Sequence, residues 1–134
     1  SECTADQLDG LYQFGRQLGL AFQVVDDILD FTGSDQQLGK PAASDLASGY
    51  LTAPTFYALE EHPSLQQLID RQFTEPDDLD QALEMVRNSK AIARTRDLAE
   101  TFARESRASI AWLPDSPSQR ALMELPDFVL SRLY

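Results

Sequence analysis

One cysteine and one histidine, Cys3 and His62, are all that 134 residues provide of either type. A single thiol allows no intramolecular disulfide and no cysteine-built zinc site. A histidine-centred active site would rest on His62 alone. That residue directly precedes Pro63 in a turn, where a surface role beside a helix is simpler. Positive charge is also sparse: 11 Lys and Arg face 22 Asp and Glu, for a net charge of −11. That balance repels phosphate backbones and argues against nucleic acid as a partner. The acidic excess serves either solvation alone or the binding of cations. No apolar run is long enough to span a bilayer and no signal-peptide pattern is present. The expected location is therefore the cytosol or the soluble space of an organelle.

Alternation at period two is missing as well, which removes strands from the reading. Apolar residues instead recur at helical spacing nearly throughout, and Pro and Gly cut the pattern into about six helices. They are expected near residues 6–31, 52–61, 64–73, 77–88, 89–112 and 118–134, the last with a break at Pro126. Gly33 is a stop signal for the first, Ser44 or Asp45 can cap a short turn after it, and Ser89 caps the fifth. The length suffices for one all-α domain with a real core, with no repeat, low-complexity tract or domain-sized linker. The opening at Ser1, without Met and close to a helical pattern, is read as the start of a portion of a longer chain.

The first helix carries the pattern that points to chemistry. At about 100° per residue, Leu18, Ala21, Phe22, Val25, Ile28 and Leu29 share one stripe, widened by Leu20, Val24 and Phe31. A helix apolar over more than half its circumference is a buried element. The remaining arc holds Gln23, Asp26, Asp27 and Asp30, spaced i, i+3, i+4, i+7. Three carboxylates within about one turn repel one another, and they lie near the helix C-terminus, where the macrodipole disfavours negative charge. Each effect costs some tenths of a kcal/mol when exposed and more in a partly desolvated cavity. A bound cation would remove the conflict; a solvated acidic face is the alternative. With oxygen ligands only, the cation is a hard one, Mg²⁺ or Mn²⁺, which is usually held by one or two carboxylates, waters and a substrate phosphate.

A second cluster, Asp77, Asp78 and Asp80, is as dense but follows Pro76 at a helix N-terminus. There acids are favoured by the dipole and can cap free N–H groups, so local helix physics accounts for them. Lys40 follows the first helix within the loop of residues 33–44 and can reach a phosphate, although most lysines are simply solvated. Gly33 and Gly39 suit either a mobile lid or plain turn chemistry. Trp112 is read as a packing residue. Arg132 and Tyr134 are read as surface and packing residues, with closure of an active site as the other role.

On these residues the sequence resembles the trans-type polyprenyl diphosphate synthases. Gly19-Leu-Ala-Phe-Gln-Val-Val-Asp-Asp-Ile-Leu-Asp-Phe-Thr-Gly33 is similar to their second aspartate-rich motif with its preceding Phe-Gln pair. Gly39-Lys-Pro-Ala-Ala-Ser-Asp45 and Gly49-Tyr-Leu-Thr-Ala-Pro54 resemble the next two motifs. The stretches ending at Pro114 and Tyr134 resemble the solanesyl diphosphate synthases of cyanobacteria and plastids.

The resemblance implies an all-α helical bundle, the C-terminal half of an isoprenoid-synthase fold, with 1–134 as a partial synthase domain. It implies Mg²⁺-dependent head-to-tail condensation: an allylic diphosphate ionises, isopentenyl diphosphate attacks the cation, and a proton is lost. The product would be a long-chain all-trans polyprenyl diphosphate, solanesyl favoured, for quinone side chains. By the resemblance Asp26, Asp27 and Asp30 bind Mg²⁺ on the allylic diphosphate. Gln23 and Phe22 border the reacting allylic end, Lys40 contacts the diphosphate, and Asp26, Asp27, Gln23 and Lys40 form the catalytic set. A homodimer of the complete protein and a peripheral membrane contact for product release are also implied, with a plastid location in a photosynthetic eukaryote.

Two departures qualify this. Tyr50 stands where many members carry Lys, and the first aspartate-rich motif, the basic residues for isopentenyl diphosphate and the residues that set chain length are missing. The portion alone is therefore expected to be inactive. The competing readings are a non-catalytic prenyl-synthase-like regulatory subunit, a helical module that binds a cation, and a terpene cyclase. The intact acids with Lys40 argue against the regulatory subunit. The Gly-Lys-Pro-x-x-x-Asp segment argues against the cyclase.

Overall fold

The computed structural model describes residues 4–33 and 43–134, and among them the regular structure is helical throughout. In chain order the helices are α1 (Ala5–Thr32), α2 (Ser44–Ala47), α3 (Ala53–Glu61), α4 (Leu65–Asp70), α5 (Asp78–Asn88), α6 (Ala91–Ser109) and α7 (Pro117–Ser131). The chain divides into two compact units, residues 26–96 and residues 1–25 with 97–134. The all-α expectation holds, and the boundaries follow local chemistry. Pro54 sits in the first turn of α3, where its missing N–H costs nothing. Ser89 Oγ accepts from the Ala91 N–H at 3.0 Å and caps α6 as expected.

The unit of residues 26–96 has its core in Phe31, Ala43, Leu46, Ala58, Leu65, Leu68, Ala82, Val86 and Ala91. Within it α3, α4 and α5 pack mutually. The start of α6 is tied to the end of α3: the Lys90 N–H donates to Glu61 at 2.7 Å, and the Arg94 guanidinium pairs with Glu60 and lies 4.1 Å over the Tyr57 ring.

The turn between α4 and α5 departs from the simple dipole reading of Asp77 to Asp80. Gln72, Phe73 and Asp77 all take positive φ, 56°, 56° and 70°. Left-handed backbone costs a non-glycine residue about 1–2 kcal/mol. Across this turn Asp78, 1% exposed, accepts from Arg71 Nε at 2.7 Å, from the other arm of the same guanidinium, and from the Glu75 N–H at 3.1 Å. So Asp78 closes a strained turn on an arginine rather than capping its own helix.

In the other unit, α1 buries Phe14, Ala21, Val24 and Val25, and α6 buries Ala99, Ala103 and Ser106, followed by Ile110 beyond its end. Gly10 marks a close crossing: a Cβ there would lie 2.7 Å from the Ser109 carbonyl oxygen and 2.6 Å from Trp112 Nε1. Trp112 donates from Nε1 to that carbonyl at 2.8 Å, consistent with a packing role. α7 begins where Ser116 Oγ accepts from the Gln119 N–H at 3.0 Å, with Pro117 behind it. The break expected at Pro126 does not occur; α7 continues to Ser131. Proline in a helix forfeits one N–H donor, and here Pro126 is buried with Val129 in a helix that continues past it.

The guanidinium beside Asp78 holds its carboxyl below the ordinary carboxylate range. A carboxylate with a lowered folded-state pKa stabilises the fold above its unfolded value of about 4 and loses that contribution as pH falls through the folded value. Asp78→Asn should therefore lower the melting temperature at pH 7, with the gap from the parent closing as the pH drops below about 4. Parallel melts of both proteins across pH 2–7 check this.

Candidate functional site

α1 carries every candidate site residue except Lys40, which lies outside the described residues. From residue 21 onward the helix turns Ala21, Val24, Val25, Ile28 and Phe31 inward. Gln23 is exposed and Asp26 half-buried, whereas Asp27 and Asp30 are 8% and 2% exposed. The two inner acids are thus no solvated face, and their desolvation sharpens the conflict seen in the spacing. The last turn of α1 contains no basic residue. Phe22, expected within the buried apolar stripe, is 47% exposed, and the Arg132 guanidinium lies 4.9 Å over its ring. Tyr134 reaches Glu100 through its hydroxyl at 3.2 Å.

Asp30 has a structural task within the chain. Ser44 Oγ donates to one carboxylate oxygen at 3.3 Å, the Asp45 N–H to the other at 3.4 Å, and the Ala43 N–H to the Asp30 carbonyl at 2.7 Å. Ser44 and Asp45, expected as caps of the short turn, serve α1 instead. The cap position of α2 is Ala43, at φ 59° with no side-chain cap bond. Arg87 of α5 was not expected here: its Nε donates to the Phe31 carbonyl at 2.8 Å and brings a cation to the C-terminal end of α1. No local pattern could single it out, because its partner is 56 residues away and is a backbone atom. Tyr50 is 69% exposed, with its N–H on the Asp45 carbonyl at 2.8 Å.

Among the described residues, no three His, Cys, Asp or Glu side chains are grouped to hold a metal ion unaided. The donor set fits a hard cation that takes one or two carboxylates and fills its remaining positions from water and a ligand's phosphate oxygens. It does not fit a self-sufficient protein cage.

The anchoring role makes Asp30 distinguishable from Asp26 without any metal. In metal-free buffer, Asp30→Ala should cost about 1 kcal/mol, for two half-buried donors that lose their carboxylate acceptor. Asp26→Ala, at a half-buried position that accepts neither of these donors, should cost less than Asp30→Ala. Denaturant melts of the two variants check the contrast.

The chain matches the polyprenyl synthetase family model over residues 1–86. A prenyl transferase of Synechocystis is 48% identical over 134 residues, covering 100% of this chain and 42% of the relative. Solanesyl diphosphate synthase 2, chloroplastic, of Arabidopsis thaliana is 49% identical over 123 residues, 92% of this chain and 30% of the relative. The chain thus spans less than half the length of these relatives. Among solved structures, a polyprenyl synthase from Caulobacter crescentus, complexed with calcium and isoprenyl diphosphate, superposes with a TM-score of 0.84 at 34% identity, covering 96% of this chain and 41% of that one. The helical architecture is therefore that of the isoprenoid-synthase fold, and this chain belongs to the polyprenyl synthetase family.

Proposed function

We propose that this chain supplies the allylic-diphosphate wall of a long-chain polyprenyl diphosphate synthase. The observation that carries the reading is the burial of Asp27 and Asp30 beside half-buried Asp26, at a helix end with no basic residue in its last turn. Buried acids placed against the dipole gain most from a divalent cation. The relatives' names and the ligands of the Caulobacter synthase support the choice of ligand.

In this reading Asp26 and Asp27 hold Mg²⁺, and Asp30 joins them while keeping α2 attached. Bound there, Mg²⁺ supplies a Lewis acid that neutralises the charge developing on a departing diphosphate. Gln23 is the polar group one turn before Asp27 and borders the reacting allylic carbon. Phe22, with Arg132 over its ring, is the aromatic neighbour of Gln23, and Lys40 adds a positive charge for the diphosphate. The allylic C–O bond breaks with its electron pair leaving on the diphosphate. The double bond of isopentenyl diphosphate supplies the new C–C bond, and a proton is lost from the adduct.

The product is a long all-trans polyprenyl diphosphate for quinone side chains, with solanesyl favoured by the named relatives. The complete protein works as a homodimer in the cytosol or a plastid. None of the described helices is long and apolar enough to cross a membrane, and product release uses a peripheral membrane contact. The portion of residues 1–134 is inactive alone, because the second substrate's site lies elsewhere in the longer protein.

Titration calorimetry of the complete protein with a bisphosphonate should show binding that requires Mg²⁺. Asp26→Ala or Asp27→Ala should weaken it on the order of tenfold or more, about 1.4 kcal/mol per decade. Absent or metal-independent binding contradicts the site. Mg²⁺-dependent binding without prenyl transfer from geranyl and isopentenyl diphosphates would instead point to a non-catalytic subunit.

A further inference from the structure

Asp30 meets the start of α2 through three donors, all inside the unit of residues 26–96. The Ala43 N–H reaches its carbonyl at 2.7 Å, Ser44 Oγ one carboxylate oxygen at 3.3 Å, and the Asp45 N–H the other at 3.4 Å. Ala43 takes left-handed backbone, φ 59° and ψ 29°, directly before the two carboxylate donors. That conformation is unfavourable for a residue with a Cβ, and it persists where the surroundings enforce it, often at a functional site. Here it precedes two consecutive donors, a hydroxyl and an N–H, that meet the two oxygens of one carboxylate.

The Ser44 hydroxyl is not what holds α2 in place. Ala43 and Leu46 are fully buried in the same core as Phe31, and the Ala43–Asp30 backbone bond ties α2 to α1 without any side chain. Nor does Ser44 cap α2, whose cap position is Ala43 with no side-chain cap bond. Its 3.3 Å contact is longer than an ordinary O–H···O bond of about 2.7–2.8 Å. The contact is thus too long to carry much of the fold, yet its acceptor is a carboxylate that is 2% exposed. What it can set is the rotation of that carboxylate. A carboxylate has about four lone-pair sites, so two such donors do not by themselves bar a cation from the same group.

Resting on the function proposed above, we infer that Ser44 is a positioning residue for the metal, fixing the rotation of the Asp30 carboxylate from α2. It acts through Asp30 and touches neither metal nor diphosphate. Removing a group that orients a metal ligand typically weakens metal binding about 10–100-fold. The demand falls hardest on Mg²⁺, which requires near-ideal octahedral geometry, whereas Ca²⁺ accepts flexible coordination. A loosened Asp30 therefore penalises Mg²⁺ more than Ca²⁺.

The test uses the complete protein with Ser44→Ala and Ser44→Thr. A bisphosphonate is titrated calorimetrically at rising Mg²⁺ and, separately, at rising Ca²⁺, which gives a half-saturating concentration for each ion. Melting in metal-free buffer is recorded alongside. Ser44→Ala should raise the Mg²⁺ midpoint about tenfold and the Ca²⁺ midpoint by a smaller factor. Ser44→Thr, which keeps the hydroxyl, should bring the Mg²⁺ midpoint back toward that of the unaltered protein. Unchanged midpoints, or equal shifts for the two ions, overturn the inference and leave the proposed function standing. A Thr variant no better than the Ala variant does the same, as does an Ala variant that does not fold, because Ser44 is then structural. If the unaltered protein shows no Mg²⁺-dependent bisphosphonate binding, the proposed function falls and this inference with it.

Discussion

Three carboxylates at the wrong end of a helix are the constraint around which this chain is arranged. Asp26, Asp27 and Asp30 repel one another near a C-terminal dipole end, and two of them are removed from water. The chain relieves part of the conflict itself. Asp30 spends its oxygens on Ser44 and on the Asp45 N–H, and Arg87 places a guanidinium on the Phe31 carbonyl one residue further along. These contacts address Asp30 and the helix end. Binding of a metal ion and its diphosphate is the role proposed for Asp26 and Asp27.

Much of the surrounding unit can be understood as support for that helix end. Phe31 is buried in the same core as Leu46, Leu65 and Val86, so α2, α4 and α5 hold the last turn of α1 in place. α5 is held in turn by the Arg71–Asp78 closure across a turn with three left-handed residues. A break there would loosen α5, the helix that delivers Arg87. Site geometry and fold stability are therefore coupled through α5, although no residue of that helix is proposed to touch substrate.

What the sequence disclosed and what it hid divide along physical lines. The all-α class, the acid-bearing helix and the Ser89 cap were legible because each depends on residues a few positions apart. The Asp30 anchor and the Arg87 contact were not, since both are made by segments distant in the chain to atoms with no pattern of their own. Pro126 misled because its local cost is real, whereas its burial depends on packing that no local pattern reveals. Asp78 misled in the opposite way: a dipole argument was sufficient for it, and the actual partner was Arg71. Phe22 looked like core because helical periodicity assigns a residue to a face and says nothing about whether that face is covered. Lys40, outside the described residues, stays where the resemblance to the synthases put it.

The central claim is that the acids of α1 bind a metal-bridged diphosphate. The most direct measurement is a crystal structure of the complete protein with Mg²⁺ and a non-ionisable allylic diphosphate analogue. The expected result is Mg²⁺ coordinated by Asp26 and Asp27 and by the analogue's diphosphate, with the Asp30–Ser44 contact retained. Mg²⁺ and diphosphate bound together away from α1, with Asp26 and Asp27 making protein contacts only, would contradict it.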